Sequence, residues 1–188
     1  YRVEEVHDLA AAPKGRAPFI DDGQRRIGDS ALIIAHLCDS RGVDPDAWLT
    51  PAQRGVGRAV EAMLEDRLYF AALHDRWMEP KHWPIVRAGL LAGLPDEIAE
   101  AIRGQQRARL MGHGIGAHAP AEMYAIADAD VGALADILGD RPFLFGDRPA
   151  GVDCAAFAFM HGLLGEQIDG ALRRSVLRHP NLVAYEKR

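Results

Sequence analysis

The spacing of apolar residues changes at about residue 50 of this chain. Short strand-like segments and one helical stretch come before it, and a helical period follows it. Residues 1–6 alternate between apolar and polar side chains, which indicates a strand. Short apolar segments on both sides of Asp22-Gly23 predict a β-hairpin, because glycine accepts a positive φ at little cost. Asp29 then offers a side-chain oxygen that predicts the start of a helix, and Gly42 predicts its end.

After residue 50 the helical period continues nearly to the end of the chain. Apart from the adjacent Met63 and Leu64, apolar residues recur three to five positions apart in its first stretch: Val56, Val60, Met63, Leu64, Leu68 and Leu73. Further helices are predicted over residues 96–110, 119–138 and 152–164, with prolines or glycines between them. The pattern therefore predicts three parts, namely a small β/α unit over residues 1–42, a linker over residues 43–50 and an all-helical domain over residues 51–188.

Length, charge and cysteine content limit the classes of function. The 188 residues carry a net charge of −5, whereas a nucleic-acid-binding protein normally presents a basic face, so we expect no nucleic-acid partner. No run reaches the roughly 18 apolar residues of a membrane helix, and no charged leader opens the chain, so we expect no membrane association. Cys38 and Cys154 form no spaced disulfide or metal framework, which favours a reducing, cytoplasmic compartment. Both are predicted to be buried thiols, with Cys154 in the core.

Four short segments give the chain a family resemblance: Pro-Lys-Gly-Arg-Ala-Pro at 13–18, Gly-Asp-Ser at 28–30, His-Gly-Ile-Gly-Ala-His at 113–118 and Phe-Leu-Phe-Gly-Asp-Arg-Pro at 143–149. Through them the chain resembles the glutathione transferase superfamily, and within it the branch that contains the failed-axon-connections proteins and the metaxins. The resemblance covers nearly the whole chain. It implies a fold of α/β plus all-α class, in which a thioredoxin-like N-terminal domain precedes a helical C-terminal domain.

The resemblance also implies where glutathione would bind. Pro18 matches the family's cis-proline, after which the backbone of Ala17 pairs with the cysteinyl part of glutathione. Asp29 and Ser30 match the acid and hydroxyl that hold the γ-glutamyl end. A carboxylate suits the ammonium group of this end, while a hydroxyl and a helix N-terminus suit its carboxylate. The alternative interpretation is that Asp29 and Ser30 only cap a helix.

Two further roles follow from the same resemblance. Lys14 or Arg16 is expected to neutralise the glycyl carboxylate of glutathione. The family activates the glutathione thiol with a tyrosine, serine or cysteine at the junction of its first strand and helix. These two elements precede the equivalent of Tyr1, so we expect the catalytic residue before Tyr1 and the natural chain to begin some tens of residues earlier. The alternative is that the N-terminal half is not a complete fold. We also expect the thioredoxin-like domain of residues 1–42 to lack its first strand and helix.

Several residues of the helical part are candidates for binding or support. Tyr69, Trp77 and Tyr124 are the candidate lining of a pocket for a small apolar substrate, and core packing is the alternative for each. Asp153 matches a buried helix cap of the family and is predicted to be structural. His113 and His118 are five residues apart with no acid between them, a spacing that does not fit a zinc helix, so we expect no metal site.

The expected function is therefore glutathione binding, with transfer of glutathione to a small apolar electrophile. One alternative is a non-catalytic interaction module of the same architecture, and another is a ligand carrier that does not use glutathione. The resemblance also implies that the protein is a homodimer.

Overall fold

The computed structural model describes residues 1–6, 12–165 and 168–188. The chain divides into two units, Tyr1–Ala47 and Trp48–Arg188. The boundary between the units falls within residues 43–50, the segment predicted to be a linker. The described residues combine a two-stranded sheet with a mostly helical remainder, which agrees with the predicted class of α/β plus all-α.

The first unit contains four described elements: a 3₁₀ turn at Pro13–Gly15, β1 at Phe19–Asp21, β2 at Arg26–Gly28 and helix α1 at Ser30–Arg41. The strands pair antiparallel, with Ile20 opposite Ile27. At the turn between them Gly23 has a φ of 84°, a conformation in which a side chain would be strained. The hairpin predicted from Asp22-Gly23 is therefore confirmed.

Helix α1 begins and ends where the sequence predicts. The side chain of Asp29 accepts hydrogen bonds from the backbone N–H groups of Ala31 and Leu32, which are two of the donors left without a helical partner. At the other end Gly42 has a φ of 63°, and its N–H donates to the carbonyl groups of Cys38 and Asp39. Cys38 itself is half-buried.

The strand predicted over residues 1–6 is wrong. These six residues are all exposed and form neither a strand nor a helix. Within the described residues, β1 and β2 pair only with each other. Alternation of apolar and polar side chains favours an extended backbone, but a strand also needs a partner for its N–H and C=O groups. Residues 1–6 have no such partner among the described strands.

The second unit consists mainly of helices. They are α2 at Pro51–Ala62, a π-helical turn at Met63–Leu68, α3 at Tyr69–Trp77, α4 at Trp83–Ala88, α5 at Asp96–His113, α6 at Pro120–Leu138, α7 at Gly151–Leu164, α8 at Ala171–Leu177 and α9 at Pro180–Glu186. A 3₁₀ turn at Ile115–Ala117 separates α5 from α6. Thr50 and Gln53 form a reciprocal capping box at the start of α2. The predicted helices are all present, with bounds that differ by a few residues.

The core of this unit is built from the predicted apolar stripe and its partners on the later helices. Val60, Leu64 and Leu68 are buried, whereas Val56, at the start of the stripe, is 41% exposed. The largest fully buried side chains from the other helices and loops include Met123, Leu134, Leu138, Leu144, Met160, Leu172 and Leu182. Among the described helices, none combines the length and apolar character needed to cross a bilayer.

Asp153 ties helix α7 to its surroundings from a buried position. Its Oδ2 accepts the backbone N–H of Ala150 at 2.8 Å, and its Oδ1 accepts the N–H of Leu144 at 3.0 Å. The hydroxyl of Tyr185 donates to the same Oδ1 at 2.8 Å. The structural role predicted for Asp153 is confirmed. The prediction that Cys154 is buried in the core is wrong. Cys154 follows Asp153 by one residue and therefore lies on a different face of the helix, where its side chain is exposed.

Candidate functional site

The hairpin of the first unit brings the two predicted glutathione-binding pairs together. Phe19 pairs with Gly28, so Pro18 and Asp29 are the next residues outward on the two strands. The backbone N–H of Asp29 donates to the carbonyl oxygen of Pro18 at 3.4 Å. The Ala17-Pro18 peptide bond is cis, as the resemblance implies, and both residues are exposed.

Asp29 has an unusual backbone and uses only part of its carboxylate. Its φ is 91°, a region that residues other than glycine rarely adopt and that is found at functional sites. Its Oδ1 accepts the N–H groups of Ala31 at 3.1 Å and Leu32 at 3.4 Å. The same residue thus caps α1 and keeps Oδ2 without a hydrogen-bond donor among the described residues. The cap and a ligand contact are therefore compatible.

Ser30 supplies a second polar group at the same point. It is the first residue of α1, a helix of 12 residues, and it is exposed. The N-terminus of a helix carries a partial positive charge, which favours a bound carboxylate. A carboxylate oxygen, a hydroxyl and a positive helix end are thus adjacent, and this combination suits a ligand that carries both an ammonium and a carboxylate group.

The two candidate cations lie in and beside the turn that precedes β1. Lys14, with a φ of 62°, belongs to this turn, and Arg16 follows it; both side chains are exposed. The turn lies against β2, since a Cβ placed on Gly28 would come within 3.0 Å of both Cβ and the carbonyl oxygen of Pro13. This close approach holds the turn at the end of the hairpin where Asp29 begins α1.

A side-chain network links the hairpin turn to α1. His36 Nε2 lies 2.7 Å from Asp22 Oδ2, and Arg25 Nη2 lies 2.8 Å from His36 Nδ1. The pKa of Asp22 is below its ordinary value, mainly because the backbone N–H groups of Arg25 and Gln24 donate to its carboxylate. The network therefore joins the far end of the hairpin to the middle of the helix.

The second unit contains an open cavity of about 410 Å³, a size typical of small-molecule sites. It lies among residues of α3, α5 and α7 and the segment after α4. Tyr69 and Trp77, two of the three predicted pocket residues, line it. Further apolar residues complete the walls: Leu73, Leu90, Phe159 and Leu163.

The polar residues that line this cavity were not predicted from the sequence. Arg76, Gln106 and Arg109 all face it. The guanidinium carbon of Arg109 lies 5.6 Å from the ring centroid of Tyr69, and its Nη1 donates to Gln106 Oε1 at 3.0 Å. One signal was present in the sequence, because Tyr69 and Arg76 are seven residues apart and share a helix face. No local sequence pattern indicates that this face packs against α5.

Tyr124, the third predicted pocket residue, does not line this cavity. Its hydroxyl donates to Glu79 Oε1 at 2.8 Å, and it lies 2.9 Å from His74 Nδ1. Asp75 Oδ1 is a longer contact at 3.5 Å. Burial raises the pKa of the Tyr124 hydroxyl, and the hydrogen bond to Glu79 raises it further. Polar partners thus hold Tyr124 in a half-buried cluster rather than at the cavity wall.

Among the described residues, His113 and His118 belong to no cluster that could hold a metal ion. Within residues 1–6, 12–165 and 168–188, no group of three or more histidine, cysteine, aspartate or glutamate side chains is arranged to hold a metal ion. The ring of His113 stacks on Phe70 with 3.8 Å between centroids.

Two family models match the chain. The glutathione S-transferase N-terminal domain model matches residues 1–82, and the glutathione S-transferase C-terminal domain model matches residues 127–188. Together these matches include the hairpin with Asp29 and the helix that Asp153 caps.

The chain is also similar to individual proteins. It is 32% identical to failed axon connections of Drosophila melanogaster over 191 residues, which are 93% of this chain and 46% of that protein. It is 27% identical to the isoprene-epoxide–glutathione S-transferase of Rhodococcus sp. over 198 residues, covering 100% of this chain and 82% of that protein. Human metaxin-1 is 24% identical over 197 residues, 98% of this chain and 42% of that protein. The chain therefore spans less than half the length of two of these relatives.

Proposed function

The chain belongs to the glutathione transferase superfamily, and from this premise we propose that it binds glutathione and transfers it to a small electrophilic substrate. The hydrogen bond between Asp29 and Pro18 is the observation that carries the proposal, because it joins the two predicted halves of a glutathione site. The similarity to an isoprene-epoxide–glutathione S-transferase over the whole of this chain supports catalysis.

Each part of glutathione has a chemical partner at this site. Asp29 Oδ2 accepts the ammonium group of the γ-glutamyl end, while Oδ1 continues to cap α1. Ser30 and the N-terminus of α1 bind the neighbouring carboxylate. The backbone of Ala17 pairs with the cysteinyl N–H and C=O groups. Lys14 or Arg16 neutralises the glycyl carboxylate.

The transfer step joins the glutathione sulfur to an electrophilic carbon. The thiol gives its proton to solvent, the thiolate attacks the carbon, and the bond from that carbon to its leaving group breaks. In an epoxide the ring oxygen stays bound to the neighbouring carbon and takes up a proton from solvent, so the product is a hydroxy thioether. A hydrogen bond to the thiolate and a helix N-terminus favour loss of the proton. Tyr69 and Trp77 remain the candidates for holding the second substrate.

A non-catalytic interaction module is the second candidate function. The similarity to failed axon connections and to metaxin-1 favours it, since neither protein is named as an enzyme. In this function glutathione would be a ligand, or would not bind, and the helical unit would contact a partner.

The decisive experiment measures the melting temperature with and without reduced glutathione at millimolar concentration. A ligand that binds only the folded state must raise the melting temperature. We expect a rise for the parent protein and no rise for Asp29→Asn. Asparagine keeps an oxygen that caps α1 and tolerates a positive φ, but it lacks the charge that pairs with the ammonium group.

Asp39→Asn is the matched control, because it removes the same charge from the exposed opposite end of α1. This variant should keep the rise in melting temperature. If the parent shows no rise at millimolar glutathione, the binding proposal is wrong. If the rise is present but epoxide and aryl halide substrates yield no conjugate, the transferase proposal is wrong and the interaction module is favoured.

A further inference from the structure

Among the described residues, the charged side chains that line the large cavity of the second unit are both positive. Arg76 and Arg109 line it, together with Gln106 and the hydroxyl-bearing Tyr69, and no acidic residue among those that the structure describes does so. Neither arginine forms an ion pair within the described part of the chain. A cavity of this kind favours a negatively charged group over a neutral or positive one.

Arg109 is held in place with most of its donors unused. Its guanidinium lies over the Tyr69 ring, and Gln106 accepts one of its N–H groups at 3.0 Å. A guanidinium carries five N–H donors in a fixed plane, which match the two oxygens of a carboxylate. The stacking on Tyr69 and the bond to Gln106 restrict the side chain before any ligand arrives, so binding costs less conformational entropy.

A third arginine lies at an adjoining smaller cavity of about 30 Å³, which shares Arg76 with the large one. This residue is Arg173, whose Nε is buried and has no acceptor among the described residues. Asp75 also lines the small cavity, but Leu172 N–H donates to its Oδ2 at 3.4 Å and His82 lies 3.3 Å from its Oδ1. A buried donor without an acceptor is rare, and the Nη1 of the same guanidinium lies 3.7 Å from Asp169 Oδ1.

We propose that the cavity binds an amphipathic anion, a molecule with an apolar body and one carboxylate. The apolar body lies against Leu73, Trp77 and Phe159, while the carboxylate accepts hydrogen bonds from Arg76 and Arg109. The inference rests on the proposed function only where it makes this molecule the second substrate of the transfer. It narrows that substrate from any small apolar electrophile to one that carries a negative charge.

The test compares three ligands with the same chain and different head groups: octanoate, octanol and octylamine. Their binding is measured by calorimetry on the full chain without glutathione, so the result does not depend on the glutathione site. We expect octanoate to bind about tenfold more tightly than octanol, as one charge-assisted contact allows, and octylamine to bind most weakly. Equal affinities for octanoate and octanol would contradict the proposal.

Substitutions of single arginines test which of them bind the carboxylate of octanoate. Arg109→Gln and Arg76→Gln should each weaken octanoate binding severalfold and leave octanol binding unchanged, and unchanged octanol binding also shows that the cavity is intact. Arg107→Gln is the control, because Arg107 is exposed on the same helix and does not line the cavity. Equal loss in the control and in Arg109→Gln would indicate a general charge effect and overturn the assignment. If octanoate binds but glutathione does not raise the melting temperature, the proposed glutathione-dependent function is wrong and the proposal for this cavity stands.

Discussion

The backbone N–H of Asp29 donates a hydrogen bond to the carbonyl oxygen of Pro18, with 3.4 Å between the two atoms. This bond extends the pairing of β1 and β2 by one residue beyond Phe19 and Gly28. It places the cis peptide bond and the helix cap, which are separate in the sequence, at one end of the hairpin. The integrity of this end is therefore the first condition for the proposed glutathione site.

Gly28→Ala should damage this end of the hairpin. An added Cβ would lie 3.0 Å from Cβ and from the carbonyl oxygen of Pro13, so the turn that carries Lys14 must move. We expect a loss of about 1–3 kcal/mol in the stability of the first unit, as overpacking usually costs. Hydrogen exchange of the amides in β1, β2 and α1 measures this loss directly.

The control for that variant is Gly104→Ala in the interior of α5, where the added Cβ has no described atom within 4 Å apart from its chain neighbours and the nearby backbone of its own helix. It should raise stability by up to about 1 kcal/mol, because alanine favours a helix more than glycine does. Unchanged exchange in Gly28→Ala would show that Pro13 can move without cost, and would remove the anchoring role given to this contact.

The elements predicted correctly from the sequence have local causes. Asp22-Gly23 specifies its own turn, and Asp29 caps the helix that begins with the next residue. Both depend on backbone conformations that neighbouring residues select. The strand predicted over residues 1–6 fails for the opposite reason. Its existence depends on a partner strand, which alternation within the segment does not reveal.

The cavity shows the same limit for a functional site. Aromatic residues at helical spacing identified Tyr69 and Trp77, because large apolar side chains are a visible signal. Arg76 and Arg109 look like solvated surface residues in the sequence, and only the packing of α3 beside α5 brings them to one cavity. The sequence also does not show that Tyr124 lies away from this cavity, because its hydrogen bonds to Glu79 and His74 are equally tertiary.

The buried carboxylate of Asp153 should be among the most sensitive positions of the second unit. Asp153→Ala removes the acceptor of the N–H groups of Leu144 and Ala150 and of the Tyr185 hydroxyl. We expect a loss of about 3–5 kcal/mol, because three donors lose their acceptor and each buried donor left without one costs about 1–3 kcal/mol. Tyr185→Phe should cost about 1–2 kcal/mol. Urea unfolding measures both values.

The double variant separates a direct contact from two independent effects. If Tyr185 acts mainly through Asp153, the two losses will not add, and the double variant will be more stable than their sum predicts. Additive losses would contradict the coupling. Asp136→Ala, at an exposed position of α6, is the control and should change stability by less than about 0.5 kcal/mol.

Asp130 is a buried carboxylate that should reduce stability at neutral pH. Its Oδ1 pairs with Arg67 at 3.2 Å, but its Oδ2 is buried without a hydrogen-bond partner in the described region. Burial raises the pKa of Asp130 even though Arg67 opposes the shift. The folded state therefore binds a proton more readily than the unfolded state, and this residue's contribution to stability falls as pH rises through the raised pKa.

Asp130→Asn should consequently leave the unfolding free energy at neutral pH equal or raise it by up to about 1 kcal/mol. The advantage should disappear on acidification, because the parent carboxyl is then neutral too. Arg67→Gln is the opposite variant and should lower stability at neutral pH, since it leaves the buried charge unpaired. A large loss of stability in Asp130→Asn at neutral pH would show that the ion pair outweighs the burial.

The imidazole of His74 makes the stability of the second unit depend on pH in the mildly acidic range. Burial lowers the pKa of His74 below its ordinary value of 6.5, although the nearby carboxylates of Glu79 and Asp75 act in the other direction. Between the lowered pKa and 6.5 the unfolded state binds more protons than the folded state, so stability rises with pH. The contribution is complete above the ordinary pKa, and it is lost as pH falls through the lowered one.

The parent protein should therefore melt at a lower temperature at about pH 5 than at about pH 7, and His74→Gln should show a smaller difference between these two conditions. Glutamine keeps a polar group that can meet the Tyr124 hydroxyl but does not titrate. His118→Gln, at an exposed position, should behave as the parent does. If His74→Gln loses as much stability on acidification as the parent, protonation of His74 is not the cause of the pH dependence. The charged groups around Asp75 and Glu79 are then the next residues to substitute.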